Sequence, residues 1–222
     1  MNYGQFLAYL NDAADEKYRR FHTKLLKNDE ISVLGVTIPK LRKAAKLFKG
    51  REDELMSFPD EFYEVTFVKL SAVAQLPYDR FIGYVDICVG LIDNWATCDG
   101  FSPKCISLHR DEFLPYIQKY LAAPREFSQR FAITTLLSYY MEQKYLDIIF
   151  SCCQKADTSM YYVHMGVAWL IAEVLVKFYD EGVRFLKSNA LTAKTHNKAI
   201  QKAKESYRLT SEQKINLNKL KR

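Results

Sequence analysis

The sequence predicts an all-α protein in which antiparallel helix pairs stack into a solenoid. Three observations predict it. The 222 residues include only 8 Gly and 6 Pro, too few breakers for a chain of short strands and tight turns. Apolar residues recur at a period near 3.6 from one end to the other. No strand signal competes with them: the single Asp-Gly, Asp99-Gly100, lies between two helical stripes rather than between alternating runs.

The elements follow in order. Phe6, Leu7, Leu10, Tyr18, Phe21 and Leu25 mark an opening helix or helix pair, broken at Gly35-Val36-Thr37-Ile38-Pro39. Pro39 suits a first helical turn, since its fixed φ fits and its missing N–H has no partner there anyway. That helix presents Leu41, Ala44, Ala45 and Phe48, and Gly50 stops it. A helix over about 61–76 ends at Pro77. Phe81, Tyr84, Val85, Cys88, Leu91, Ile92 and Trp95 then form one continuous stripe. Gly100-Phe101-Ser102-Pro103 reads as a stop followed by a start, with Ser102 as N-cap and Pro103 at the first helical position. Phe113, Tyr116, Ile117, Tyr120 and Leu121 make the next stripe, closed by Pro124. Helices are predicted over 127–141, 145–153, 161–177 and 180–188. The stretch 161–177 is apolar nearly all round and belongs at the centre of its neighbours. Pairs of about 35–45 residues joined by short connections suggest a HEAT-like array running as one domain over residues 1–222, with a compact bundle as the alternative.

Hydrophobic residues make up 49% and charged residues 26%, ordinary for a globular chain. The aromatic share, 14%, is high; its simplest use is filling gaps between helices. Five cysteines, Cys88, Cys98, Cys105, Cys152 and Cys153, form neither an even set nor a CxxC spacing, which argues against a disulfide framework or a zinc site. Reduced thiols suit a cytoplasmic location, and nothing at residues 1–10 resembles a secretion signal. The longest apolar run, Met165–Val176, has 12 residues and contains Glu173, too short to cross a bilayer.

Charge is unevenly spread. The net value is +6. Residues 192–222 carry nine basic side chains against Glu205 and Glu212, a net of +7, whereas the other 191 residues carry 23 basic and 24 acidic ones. A basic segment at helical period on a near-neutral body points to a polyanion such as nucleic acid, with Lys198, Lys202 and Lys204 as candidate contacts. The competing reading is a solvated tail.

Signatures of familiar catalysts are missing. The histidines, His22, His109, His164 and His196, are scattered, and no HExxH, P-loop, GxGxxG or GxSxG occurs. Chemistry here must need few groups. The two tryptophans are Trp95 and Trp169. Trp95 lies four residues before Asp99, so an indole and a carboxylate share one helix face, whether Asp93 or Asn94 caps a new helix or the preceding one runs through. The bland alternatives are a core tryptophan continuing the Phe81 stripe and a helix-end aspartate.

At this point four segments together resemble the AlkD-like DNA alkylation-repair family, and the likeness covers most of the chain. Gly35-Val36-Thr37-Ile38-Pro39-Lys40-Leu41-Arg42-Lys43-Ala44-Ala45-Lys46 is similar to its N-terminal signature, and Trp95 with Asp99 to its W-x-x-x-D pair. Phe127-Ser128-Gln129-Arg130-Phe131-Ala132-Ile133 resembles its R-R-x-A-I helix, and Gly166-Val167-Ala168-Trp169 its I-G-W helix. Three positions depart. Gln129 stands where the first Arg of the pair is usual, Met165 replaces a common Lys, and Ala172 precedes Glu173 where Arg-Glu is frequent. These departures remove positive charge from the DNA side, for which the lysine-rich segment is the candidate replacement.

The resemblance implies a HEAT-like fold whose concave face cradles DNA, and excision of positively charged alkylated purines. It implies Asp99, Trp95 and Trp169 as catalytic residues, Arg130 on phosphate, and alkylated double-stranded DNA as the partner of a monomer. No cofactor, metal or membrane is called for. Physical chemistry makes the set sufficient. An N3- or N7-alkylated purine already carries positive charge and departs without a general acid. The sugar turns oxocarbenium-like, and one carboxylate at about 4 Å and an effective dielectric near 20 attracts it by about 4 kcal/mol. That is roughly a thousandfold in rate. Indole faces favour cations by about 0.5–2 kcal/mol. Relatives that bind DNA without catalysis, and a HEAT-type protein-interaction scaffold, are the alternative functions.

Overall fold

The computed structural model describes residues 1–26 and 30–222. Among the described residues all regular structure is helical. The chain packs as two compact units, Met1–Ile106 and Ser107–Arg222.

The first unit holds α1 (Tyr3–Ala13), α2 (Glu16–Leu26), α3 (Ile38–Ala45), α4 (Glu52–Met56), α5 (Tyr63–Val73), α6 (Tyr78–Leu91) and α7 (Trp95–Gly100). The opening stretch is a helix pair. α1 starts on a capping box in which Asn2 and Gln5 satisfy each other's backbone amides. Leu41, Ala44, Ala45 and Phe48 are all buried as their period requires, Phe48 from a 3-10 turn that tightens the end of α3. Phe6, Phe48 and Phe58 meet edge-on and tilted, with centroids 5.1–5.7 Å apart. α4 has no apolar period to announce it; Glu52, Asp53 and Glu54 in its first turn suit the positive end of its dipole.

α5 is the centre of this unit. Each of its residues 63–73 is buried, and it packs against α3, α4, α6 and α7. Two charged residues are buried with it, and both are answered. The Lys69 ammonium donates to the Asp60 carboxylate at 2.9 Å and to the Phe58 carbonyl at 2.5 Å. The Glu64 carboxylate accepts the backbone amides of Leu34, Gly35 and Val36 at 3.0, 2.8 and 3.2 Å.

The Phe81–Trp95 stripe is not one helix. α6 ends at Leu91, and Ile92 turns extended while its side chain stays in the core. Asn94 then caps a new helix by accepting the Thr97 amide at 2.9 Å. The stripe survives the break because the extended residue still points inward. The Ser102-Pro103 start signal is also only half met. It opens a 3-10 turn, Lys104–Leu108, and the α-helix proper begins at Arg110.

The second unit holds α8 (Arg110–Leu121), α9 (Glu126–Tyr139), α10 (Leu146–Lys155), α11 (Tyr161–Lys177), α12 (Tyr179–Lys187), α13 (Ala193–Glu205) and α14 (Ser211–Asn218). A short connection folds α9 back along α8. α9, α11 and α13 lie side by side, with α8 and α10 against α9, α12 against α11 and α14 against α13. This is a two-layer helical repeat in which successive hairpins give one helix to a common row. α11 is the middle of the row, which explains why it is apolar nearly all round.

The basic segment is part of this row, not a solvated tail. Thr195, His196, Ala199, Ile200 and Ala203 are buried. Thr210 and Gln213 form a capping box on α14. His196 Nε2 donates to the Leu220 carbonyl at 2.7 Å, and the Arg222 amide donates to Asn197 at 2.9 Å, so the last residues are tied back to α13. The five cysteines are free thiols; burial pushes that of Cys88 up to about 12. Among the described residues no helix is long and apolar enough to cross a membrane.

Candidate functional site

In the first unit Trp95 is the first residue of α7, and Asp99 lies one turn on, both half-buried. The cap positions them. Asn94 holds the helix start through the Thr97 amide, and its own Nδ2 donates to Asp93 at 2.7 Å. The indole is held independently: Trp95 Nε1 donates to the Leu25 carbonyl at the end of α2, at 3.4 Å. Trp95 thus closes the apolar stripe from the start of a new helix and is only half-buried there. Asp99 sits in the last turn, where the helix dipole disfavours a negative charge by a few tenths of a kcal/mol, about 0.3 or more. Helix stability therefore does not account for it.

In the second unit Arg130 lies on α9 and is only 6% exposed. Its Nη1 donates to the Tyr162 carbonyl in the first turn of α11 at 2.8 Å, and the guanidinium lies 5.9 Å from the Tyr162 ring centroid. Gly166 makes room for this seating. A Cβ there would meet Ile133 at 3.3 Å and Arg130 Nη1 at 3.6 Å. One turn further along α11, Trp169 is 38% exposed. Tyr161, Met165, Trp169 and Glu173 follow at i, i+4 spacing and form an open edge, whereas the other residues from 163 to 175 are buried.

Trp169 lines a pocket of about 450 Å³ with Ala172, Glu173, Lys202, Tyr207 and Arg208. Lys194, Lys198 and Lys202 recur every four residues on α13 and so share a face. Lys194 and Lys198 lie close enough to His164 that, after burial, their charges lower its pKa further. Lys204 points elsewhere: its ammonium donates to Asn218 on α14 at 2.8 Å. The structure thus brings Trp169 and Lys202 together and separates Lys204 from them. Sequence reasoning passes over Lys194, Tyr207 and Arg208. The four-residue lysine repeat is a usable signal for the first; nothing marks the other two.

Two of the three departures, Gln129 and Ala172, acquire reasons. Gln129 is 6% exposed, donates to the Ala123 carbonyl at 2.9 Å and accepts the Asp157 amide at 2.9 Å. An arginine has no acceptor to offer that amide. Ala172 leaves its pocket without a cation from α11, and Arg208 enters the same pocket from the turn after α13. Its Nη2 donates to Glu173 at 2.6 Å. Among the described residues no group of three or more His, Cys, Asp and Glu is placed to hold a metal ion.

Fold and side chains together define an all-α helical-repeat protein with an indole–carboxylate pair in its first unit and a lysine-flanked tryptophan in its second. The chain belongs to the DNA alkylation repair enzyme family, whose model matches residues 5–203. Family membership gives it a role in DNA repair, with DNA as its substrate. No curated protein matches the chain.

Proposed function

We propose that this protein is a monofunctional DNA glycosylase that hydrolyses the N-glycosidic bond of positively charged alkylated purines, 3-methyladenine and 7-methylguanine among them. The observation that carries the reading is the Trp95–Asp99 pair, set on a short helix by the Asn94 cap and the Leu25 carbonyl. In the reaction the C1′–N bond breaks with its electrons passing to the purine, which leaves neutral. Asp99 stabilises the cationic sugar and orients the water that adds to C1′, and the water's proton passes to the carboxylate and then to solvent. The Trp95 indole, one turn before Asp99, offers a face that favours the charged base over normal ones, and Trp169 offers the same kind of face in the second unit. Arg130 supplies positive charge toward the phosphates, and Lys198 and Lys202 add to the attraction for duplex DNA, whereas Lys204 is turned toward Asn218 and adds little. The protein acts as a cytoplasmic monomer without cofactor or metal.

Base release from methylated duplex DNA tests this directly, with wild type beside Asp99→Asn. The wild type should release the alkylated purine and Asp99→Asn should release it far more slowly. No release by the wild type, or equal release by the variant, rejects the mechanism. Salt-dependent DNA binding without release identifies a non-catalytic DNA-binding relative instead.

A further inference from the structure

The turn joining α13 to α14, Ser206–Thr210, combines features that the proposed chemistry does not use. Tyr207 is 93% exposed, the most open of the large hydrophobic side chains among the described residues. Arg208 follows it. Both line the Trp169 pocket together with Lys202. The turn is not loose. Leu209 is buried, Thr210 caps α14 with Gln213, and the Arg208 amide donates to Ser206 Oγ at 3.2 Å. An open aromatic and a cation are therefore presented from fixed backbone.

The guanidinium is also oriented. Glu173 accepts from Nη2 at 2.6 Å, and both side chains keep solvent access, at 48% and 32% of their surface. Among the described residues no other hydrogen bond occupies this guanidinium, so one edge of the fork, which includes the second N–H of Nη2, remains for an outside acceptor. A planar fork anchored at one corner by a carboxylate is pre-organised for a tetrahedral anion at its free edge. The surroundings favour an anion that forms part of a long polyanion. Lys202 shares the pocket, and Lys198 and Lys194 continue the positive line along α13. An exposed aromatic next to that line offers an apolar face to sugar or base rather than to another charge.

We propose that this turn is a DNA-backbone clamp: Arg208, held by Glu173, grips one phosphate of the strand that passes Trp169, and Tyr207 packs against the adjoining deoxyribose. The assignment rests on the reading of the protein as one that acts on duplex DNA, but not on its being a glycosylase. Glu173 is a positioning residue here, acting through Arg208.

The test is fluorescence anisotropy of a labelled duplex oligonucleotide over a salt series, using the full chain as wild type, Arg208→Ala, Arg208→Lys, Tyr207→Ala and Tyr207→Phe. Thermal melts confirm that each variant is folded. Arg208→Ala should weaken binding about fivefold or more and lower the salt slope by about one. Arg208→Lys should restore the slope but not the full affinity, since it keeps the charge and loses the fork. Tyr207→Ala should weaken binding about threefold or more with the slope unchanged, and Tyr207→Phe should match wild type, as an apolar contact requires. If Arg208→Ala and Tyr207→Ala bind like a wild type that itself binds DNA, the clamp is wrong and the proposed function stands. A wild type that binds no duplex at low salt overturns both. Weakened variants of a wild type that releases no base support the clamp and overturn the glycosylase.

Discussion

The Glu64 carboxylate, buried on α5, accepts the Gly35 amide at 2.8 Å and holds the segment that leads into α3. Leu34 and Val36 donate to the same carboxylate. Gly35 is not replaceable on steric grounds. Its φ is +99°, and a Cβ would lie 2.6 Å from the Asp15 carbonyl oxygen and 2.7 Å from Arg19 Cβ. The glycine of the N-terminal signature is thus a packing requirement, and Glu64 is the acceptor that completes it.

Glu64→Gln should therefore destabilise the protein by about 2–4 kcal/mol, because an amide presents a donor to amides that need an acceptor. Gly35→Ala should cost about 1–3 kcal/mol through the forced backbone conformation alone. Urea denaturation read by circular dichroism measures both. A loss under half a kcal/mol, about the scatter of a surface substitution, would show that the carboxylate is not holding this segment.

Asp99→Asn removes the charge and leaves the shape. Single-turnover release of 7-methylguanine should slow by roughly a thousandfold, from about 4 kcal/mol of lost attraction. Duplex affinity should hold or rise, since a negative charge near phosphate has gone. A variant that loses affinity and retains its rate would assign Asp99 to binding instead.

The lysines of α13 should not be equivalent. Lys198→Gln with Lys202→Gln should weaken duplex binding and lower the salt slope by about two, one for each phosphate no longer neutralised. Lys204→Gln should change little, because its ammonium is turned toward Asn218 on α14. Equal effects from all three would mean that the segment acts as diffuse charge.

Acid should destabilise the protein through its buried histidines. His22 is 4% exposed, stacks on Tyr18 at 5.4 Å and lies 4.5 Å from the Tyr63 ring. Neither of its ring nitrogens has a hydrogen-bond partner among the described residues. Burial lowers its pKa, with the Glu64 charge pulling weakly the other way. Burial likewise lowers those of His164 and His196. A histidine held neutral gains its proton only on unfolding, so the unfolded chain binds more protons once pH falls to the ordinary value of about 6.5. Stability should be complete above that value and decline as pH falls below it, until the folded-state values are passed. Each such histidine adds at most about 1.4 kcal/mol per pH unit. His22→Phe should flatten the decline by about one proton, as read from urea midpoints between pH 7.5 and 5. An unchanged slope would mean that His22 is protonated without cost.

Most of the helical architecture is readable because burial imprints a period on the sequence. α11 shows this best: its apolar surface over Tyr161–Lys177 announces both its bounds and its place in the middle of a row. Elements without that imprint are not readable. α4 is five residues long and acidic, and the break at Ile92 preserves the apolar period across a change of backbone conformation. At the candidate site, the spacing of Trp95 and Asp99 is enough to put them on one helix face, because i, i+4 geometry is local.

What local spacing leaves open is where a side chain's partner comes from. Gln129 reads as a missing charge, and its neighbours make it a buried bridge between Ala123 and Asp157. Arg208 reads as one of nine basic residues near the chain end, and packing sets it beside Trp169 on the Glu173 carboxylate, 35 positions away in sequence. Helix bounds, apolar faces and the indole–carboxylate pair belong to the sequence, since each depends on residues within a turn or two of one another. The lysine line, the Trp169 pocket and the anchored Arg208 belong to the tertiary structure, since each exists only once separate helices have packed and brought distant charges within hydrogen-bond reach.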